Sequence, residues 1–108
     1  MTFDEYQKAA SRTADLSMHL ERSLVMASMG LAGEAGEVVD IVKKMAFHGH
    51  ALSEAKLTEE VADALWYIAR ICTALGVSMG DVAADNIEKL RQRYPDGFSH
   101  DASRNRAR

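Results

Sequence analysis

The feature that most constrains this chain is a pair of long apolar segments, each broken by two acids three residues apart. In "GLAGEAGEVVDIVKK", residues 30–44, the acids are Glu34 and Glu37; in "EEVADALWYIAR", residues 59–70, they are Glu60 and Asp63. At about 3.6 residues per turn, each pair falls on one face of a helix. No segment alternates with the period of two that a half-buried strand requires, and the one proline stands at position 95. The chain is therefore predicted to be all-α.

Start and stop signals divide it into four helices. The first spans "FDEYQKAASRTA", residues 3–14. The second runs from near Leu20 to about Ala46, where "FHGH" supplies a glycine stop, and the third from near Ser53 to Leu75, with Gly76 as the stop. Ser78 caps a fourth, with Asp81 in the place of the capping-box acid, and Pro95 ends it after Tyr94. The two middle helices, 20–46 and 53–75, are long enough to pair as an antiparallel hairpin. Residues 1–99 then make one helical domain, and 100–108, ending in "SRNRAR", a polar, flexible tail.

Composition narrows the class. A chain of 108 residues, 47% apolar, supports a single core that buries roughly two thirds of the surface exposed on unfolding. No basic leader precedes an apolar run, and no uncharged stretch is long enough to cross a bilayer, so neither a signal peptide nor a membrane span is expected and the location is read as cytosolic. A net charge of −3 argues against binding a nucleic-acid polymer, which calls for a basic surface. The single cysteine, Cys72 in "IARICTAL", reads as a small buried hydrophobe.

Gly30, Gly33 and Gly36 sit in the second helix, and each costs its interior about 1 kcal/mol against alanine. A close helix crossing, or room for a ligand beside the carboxylates, would offset that loss. A crossing accounts for the glycines but leaves the glutamates unexplained. On the third helix, Glu60 and Asp63 share a face with Lys56, Tyr67 and Arg70, while Val61, Leu65, Ile68, Cys72 and Leu75 form an apolar stripe. One acid pair is an ordinary solvated face. Two pairs facing each other across antiparallel helices bring four carboxylates together, and their repulsion calls for a cation. Oxygen-only ligation, with no histidine or thiolate in either motif, favours Mg²⁺ or Mn²⁺ over zinc, and differs from the Glu-x-x-His pairs of di-iron bundles.

These residues resemble the MazG-like branch of the all-α nucleoside triphosphate pyrophosphohydrolases. That group's metal motif reads Glu-x-x-Glu, a spacer, then Glu-x-x-Asp. Here Glu34 and Glu37, a spacer of 22 residues, and Glu60 and Asp63 fill the places, and "NIEKLRQRYPDGF" extends the likeness to roughly residues 20–99. Longer members often open the first motif with a doubled glutamate; this chain has Gly33 there, so no acid takes that position. The resemblance implies Mg²⁺-dependent hydrolysis of a nucleoside triphosphate between its α and β phosphates, giving the monophosphate and pyrophosphate. Glu34, Glu37, Glu60 and Asp63 would be the metal ligands. Glu37 and Glu34 are the catalytic candidates, Glu37 being the first choice to take a proton.

On the fourth helix Asn86, Lys89 and Arg93 share a face at the edge of the stripe Met79, Val82, Ala83, Leu90 and Tyr94, a placement suited to an anionic substrate and similar to the family's Asn-x-x-Lys pattern. Lys44 and Lys56 are further candidate phosphate contacts, and Trp66 and Tyr67 candidate stacking partners for a base. His19, His48, His50 and Arg70 have no partner that spacing identifies. Four helices of this length leave the apolar faces of both long helices partly uncovered, and the resemblance implies dimers or dimers of dimers; a homotetramer is expected. Two competing readings stand: an enzyme like the phosphoribosyl-ATP pyrophosphohydrolases, and a non-catalytic helical module that oligomerises or binds a partner and uses its acids as surface charge. The second acid pair separates the last from the enzyme, since a docking helix has no need to repeat the first pair's geometry.

Overall fold

A computed structural model of the chain describes residues 1–106. Five helices follow one another: α1 (Phe3–Ala10), α2 (Leu20–Phe47), α3 (Glu54–Leu75), α4 (Met79–Arg93) and α5 (His100–Arg104), with no strand among the described residues. Helices α2 and α3 are the antiparallel pair at the centre of the fold, and α1 packs on α3 and α4. Among the described residues, no single helix is long and apolar enough to cross a membrane.

Local chemistry sets most boundaries. The Oγ of Ser53 accepts from the Lys56 N–H at 3.3 Å, and that of Ser78 from the Asp81 N–H at 3.1 Å, so both serines cap as expected. Gly76 ends α3 in the left-handed conformation, φ 70°, with its N–H on the Thr73 carbonyl and that of Val77 on the Cys72 carbonyl. The first helix is shorter than its periodicity suggests. It stops at Ala10 and continues as a single 3₁₀ turn, Ser11–Thr13. There Ser11 Oγ donates to the Gln7 carbonyl and Thr13 Oγ1 to the Ala10 carbonyl, the side-chain competition that weakens a helix end. Within the segment read as a tail, His100–Arg104 forms α5, capped by Ser99; residues 107 and 108 lie outside the described residues.

The corner between α3 and α4 bends by 102° and is held from α1. Asp4 Oδ1 accepts from Ser78 Oγ at 2.7 Å and from the Gly80 N–H at 2.9 Å. The Gln7 amide donates to the Val77 carbonyl at 2.9 Å and accepts from the Met79 N–H at 2.7 Å. Around this corner lies a small core of Ala10, Ala69, Cys72 and Met79, flanked by Tyr6, Leu65 and Trp66. Cys72 is buried there, as its apolar surroundings imply.

The chain is open. Its radius of gyration is 17.0 Å, against about 13 Å for a compact chain of this length. Its surface is 7856 Å², roughly 1,900 Å² more than mass scaling gives for a compact monomer. Large apolar side chains lie on this surface: Val25, Met29 and Val39 along α2, and Val61, Ile68 and Leu75 along α3, are all exposed. The stripe legible on the third helix is therefore divided: Leu65 and Cys72 face the core, while Val61, Ile68 and Leu75 are exposed.

Candidate metal and phosphate site

The α2–α3 crossing puts Glu34 against Glu60 and Asp63. Each offers a carboxylate oxygen, and the three oxygens lie within 4.8 Å of one another. Glu34 is half-buried and its Oε2 is enclosed without a hydrogen-bond partner. Hydrogen bonding to Glu34 is the main cause that pushes the Glu60 carboxyl above the ordinary carboxylate range; burial and the charges of Glu34 and Asp63 add to it. An enclosed carboxylate oxygen among crowded acids fits a hard cation with oxygen ligands.

Glu37 stands apart from this group. It is exposed, and its charge helps to raise the Lys44 pKa, behind the larger effect of Asp40, whose carboxylate holds the Lys44 ammonium at 2.7 Å. Lys44 and Lys56, chosen separately from the sequence, line one cavity together with Asp40, His50 and Ser53.

Tyr67 lies one turn beyond Asp63, its ring on the bare backbone of Gly30. Gly33 and Gly36 have open space where a Cβ would be. Of the two uses for the glycines, the crossing thus belongs to Gly30, and the open space to the other two. Trp66 is engaged elsewhere: its indole N–H donates to Thr13 Oγ1 at 3.0 Å, and it packs against the core while meeting Tyr67 edge-on, centroids 5.1 Å apart. That hydrogen bond ties the 3₁₀ turn to α3, and the indole is not directed at the carboxylates.

Helix α4 leaves α3 at a bend of 102°, with a shallow apolar groove in the corner between them. Asn86 borders a groove with Phe3, Leu65 and Ile68 there, rather than joining the acids, and Lys89 and Arg93 follow one and two turns further on. Tyr6 on α1 joins the surroundings of the acids without having been singled out in the sequence. Burial raises its phenol pKa first, and the Asp63 charge raises it further. The signal for Tyr6 lies in the packing of α1 on α3, which no local pattern encodes.

An antiparallel helix pair that gathers acids from both members at its middle is the arrangement of the all-α pyrophosphohydrolases. The chain belongs to the MazG nucleotide pyrophosphohydrolase domain family, whose model matches residues 23–98. It is also 32% identical over 114 residues to the Gene 37 protein of Mycobacterium phage L5, with 98% of this chain and 100% of that protein covered. No solved structure matches it significantly. The protein is thus a pyrophosphohydrolase-family domain with an acidic cluster of ligand geometry.

Proposed function

We propose that the protein hydrolyses a nucleoside triphosphate to the nucleoside monophosphate and pyrophosphate, using Mg²⁺ or Mn²⁺. The observation that carries this reading is the convergence of Glu34, Glu60 and Asp63, with the enclosed Oε2 of Glu34 lacking any donor. These three residues would hold the cation, and Glu37 stands beside them on the same face of α2. A bound divalent cation neutralises phosphate oxygens and makes a nearby water more acidic. Glu37, outside the close group, is free to accept the proton from the attacking water. Water oxygen bonds to the α phosphorus, the bond to the bridging oxygen breaks, and pyrophosphate leaves. Lys44 and Lys56 face the departing phosphates, while Asn86, Lys89 and Arg93 contact substrate from another subunit, since α4 bends away from α3 by 102° and does not bring them to the acids of its own chain.

The same reading includes self-association. An excess surface of roughly 1,900 Å² per subunit, with large apolar side chains on it, corresponds to an obligate interface in a dimer. The outward faces of α2 and α3 supply it, and a tetramer follows if the groove beside α4 is also covered. The chemistry is tested by hydrolysis of a panel of triphosphates with Mg²⁺ in ¹⁸O-labelled water. Attack at the α phosphorus places the label in the monophosphate. Label in pyrophosphate or in inorganic phosphate, or no hydrolysis of any triphosphate, overturns the proposal.

A further inference from the structure

Where α2 ends and α3 begins, a cavity of about 230 Å³ is lined by Lys44, His50, Ser53 and Lys56, with Asp40 on its edge. Two lysines and a histidine converge there. Ser53 is the N-cap of α3, so the positive end of a 22-residue helix dipole opens on the same space. Lys56 stands one turn, about 6 Å of rise, before Glu60, which makes the cavity adjacent to the carboxylate group. One acid opposes this positive lining. Asp40 holds the Lys44 ammonium at 2.7 Å and that of Lys43 at 3.5 Å, and Glu37, one turn earlier, also acts on Lys44.

We infer that this cavity receives the β and γ phosphates and then the leaving pyrophosphate, with His50 as a direct contact and Asp40 as the anion that Lys44 releases when phosphate enters. The identity of the anion rests on the reaction proposed above; the cavity and its charges do not. An ion pair as exposed as Asp40–Lys44, with side chains 40% and 44% accessible, is weak, so a multiply charged phosphate displaces Asp40 from the ammonium. When the product departs, Asp40 takes Lys44 back. The carboxylate therefore lowers pyrophosphate affinity, and with it the delay of product release, which limits turnover in many enzymes.

Calorimetric titration of the full chain with pyrophosphate and Mg²⁺ tests this, beside His50→Ala and Asp40→Asn. The two variants are expected to move in opposite directions. His50→Ala raises the pyrophosphate Kd about fivefold, and Asp40→Asn lowers it by about the same factor, the size of one exposed charge interaction. Nucleoside monophosphate binding stays the same in all three proteins. His50 is exposed and the Asp40 side chain is 40% accessible, and melting curves verify that the variants fold. Absence of pyrophosphate binding in the wild type, an unchanged Kd in His50→Ala, or an unchanged or weaker Kd in Asp40→Asn overturns the pocket. Triphosphate hydrolysis is measured in parallel. Hydrolysis with a pyrophosphate affinity indifferent to both residues removes the pocket alone, whereas the opposed shifts without hydrolysis remove the reaction alone.

Discussion

The ring of Tyr67 lies on Gly30 so closely that a Cβ on Gly30 would overlap it, and this contact is where α2 and α3 cross. It sets the register that carries Glu34, one turn away on α2, to Asp63 and Glu60, one and two turns away on α3. Three glycines alike in sequence therefore have different roles, and substitution separates them. Gly30→Ala forces the ring aside and costs about 1–3 kcal/mol. Gly33→Ala meets nothing within 4 Å and gains about 1 kcal/mol of helix propensity. Thermal melts by circular dichroism are expected to fall for the first and rise for the second; the reverse order would locate the crossing elsewhere.

The carboxylate group predicts a split between activity and stability. Glu34→Gln removes the enclosed ligand and abolishes pyrophosphate release, yet relieves repulsion against Glu60 and Asp63. Without metal it should melt no lower than wild type. Added Mg²⁺ should raise the wild-type Tm far more than that of Glu34→Gln, because only a bound ion stabilises by mass action. Glu37→Gln should lose activity as well but keep more of the Mg²⁺ shift, since Glu37 lies outside the close group. Equal Mg²⁺ shifts in wild type and Glu34→Gln would mean that these acids hold no ion.

Self-association is expected to disappear when charge enters the exposed face of α2. Val39, 64% accessible in the single subunit, is the position of choice. Sedimentation velocity should show Val39→Asp shifted to smaller species at micromolar concentration, with hydrolysis falling alongside because α4 of one subunit no longer reaches the acids of another. A wild-type protein that sediments as a folded monomer at that concentration would contradict the shared site.

The α1 latch gives a pH signature. Hydrogen bonds from Ser78, chiefly, and from the Gly80 N–H hold the Asp4 carboxyl below its ordinary value of 3.8. A depressed folded-state pKa confers stability that is present above the unfolded value and lost as pH falls through the folded one. Asp4→Asn should therefore melt below wild type at neutral pH, and the gap should narrow below pH 3.8. A gap that stays constant down to pH 2, on the order of two units below the carboxylate reference, would show that the charge of Asp4 has no part in the latch.

Much of this protein was legible because its determinants are local. Ser53 and Ser78 accept from the backbone three residues on, and Gly76 turns left-handed at the end of α3, so the long helices begin and end where the residues say. The acid pairs were legible for a related reason. A period of about 3.6 places i and i+3 on one face, and an antiparallel hairpin with a short connection leaves few registers in which two such faces can meet. The break in α1 was missed because hydroxyl groups of Ser11 and Thr13 compete with the helix at the scale of a single hydrogen bond, which apolar periodicity does not register.

By itself, then, the sequence determined an all-α chain, its long helices, and the faces that bear Glu34, Glu37, Glu60 and Asp63, since all of these follow from interactions within a few residues. Tertiary structure decided what depends on distant partners. Gln7 and Asp4 bond to residues 70 to 76 positions away and so hold the 102° corner between α3 and α4. Trp66 turns to Thr13, 53 residues earlier, instead of toward the acids. His50, without a partner that spacing could name, lines one cavity with Lys44 and Lys56 once the hairpin closes. Helical periodicity states which side chains share a face; only packing, through contacts whose two halves are far apart in the chain, states what that face meets.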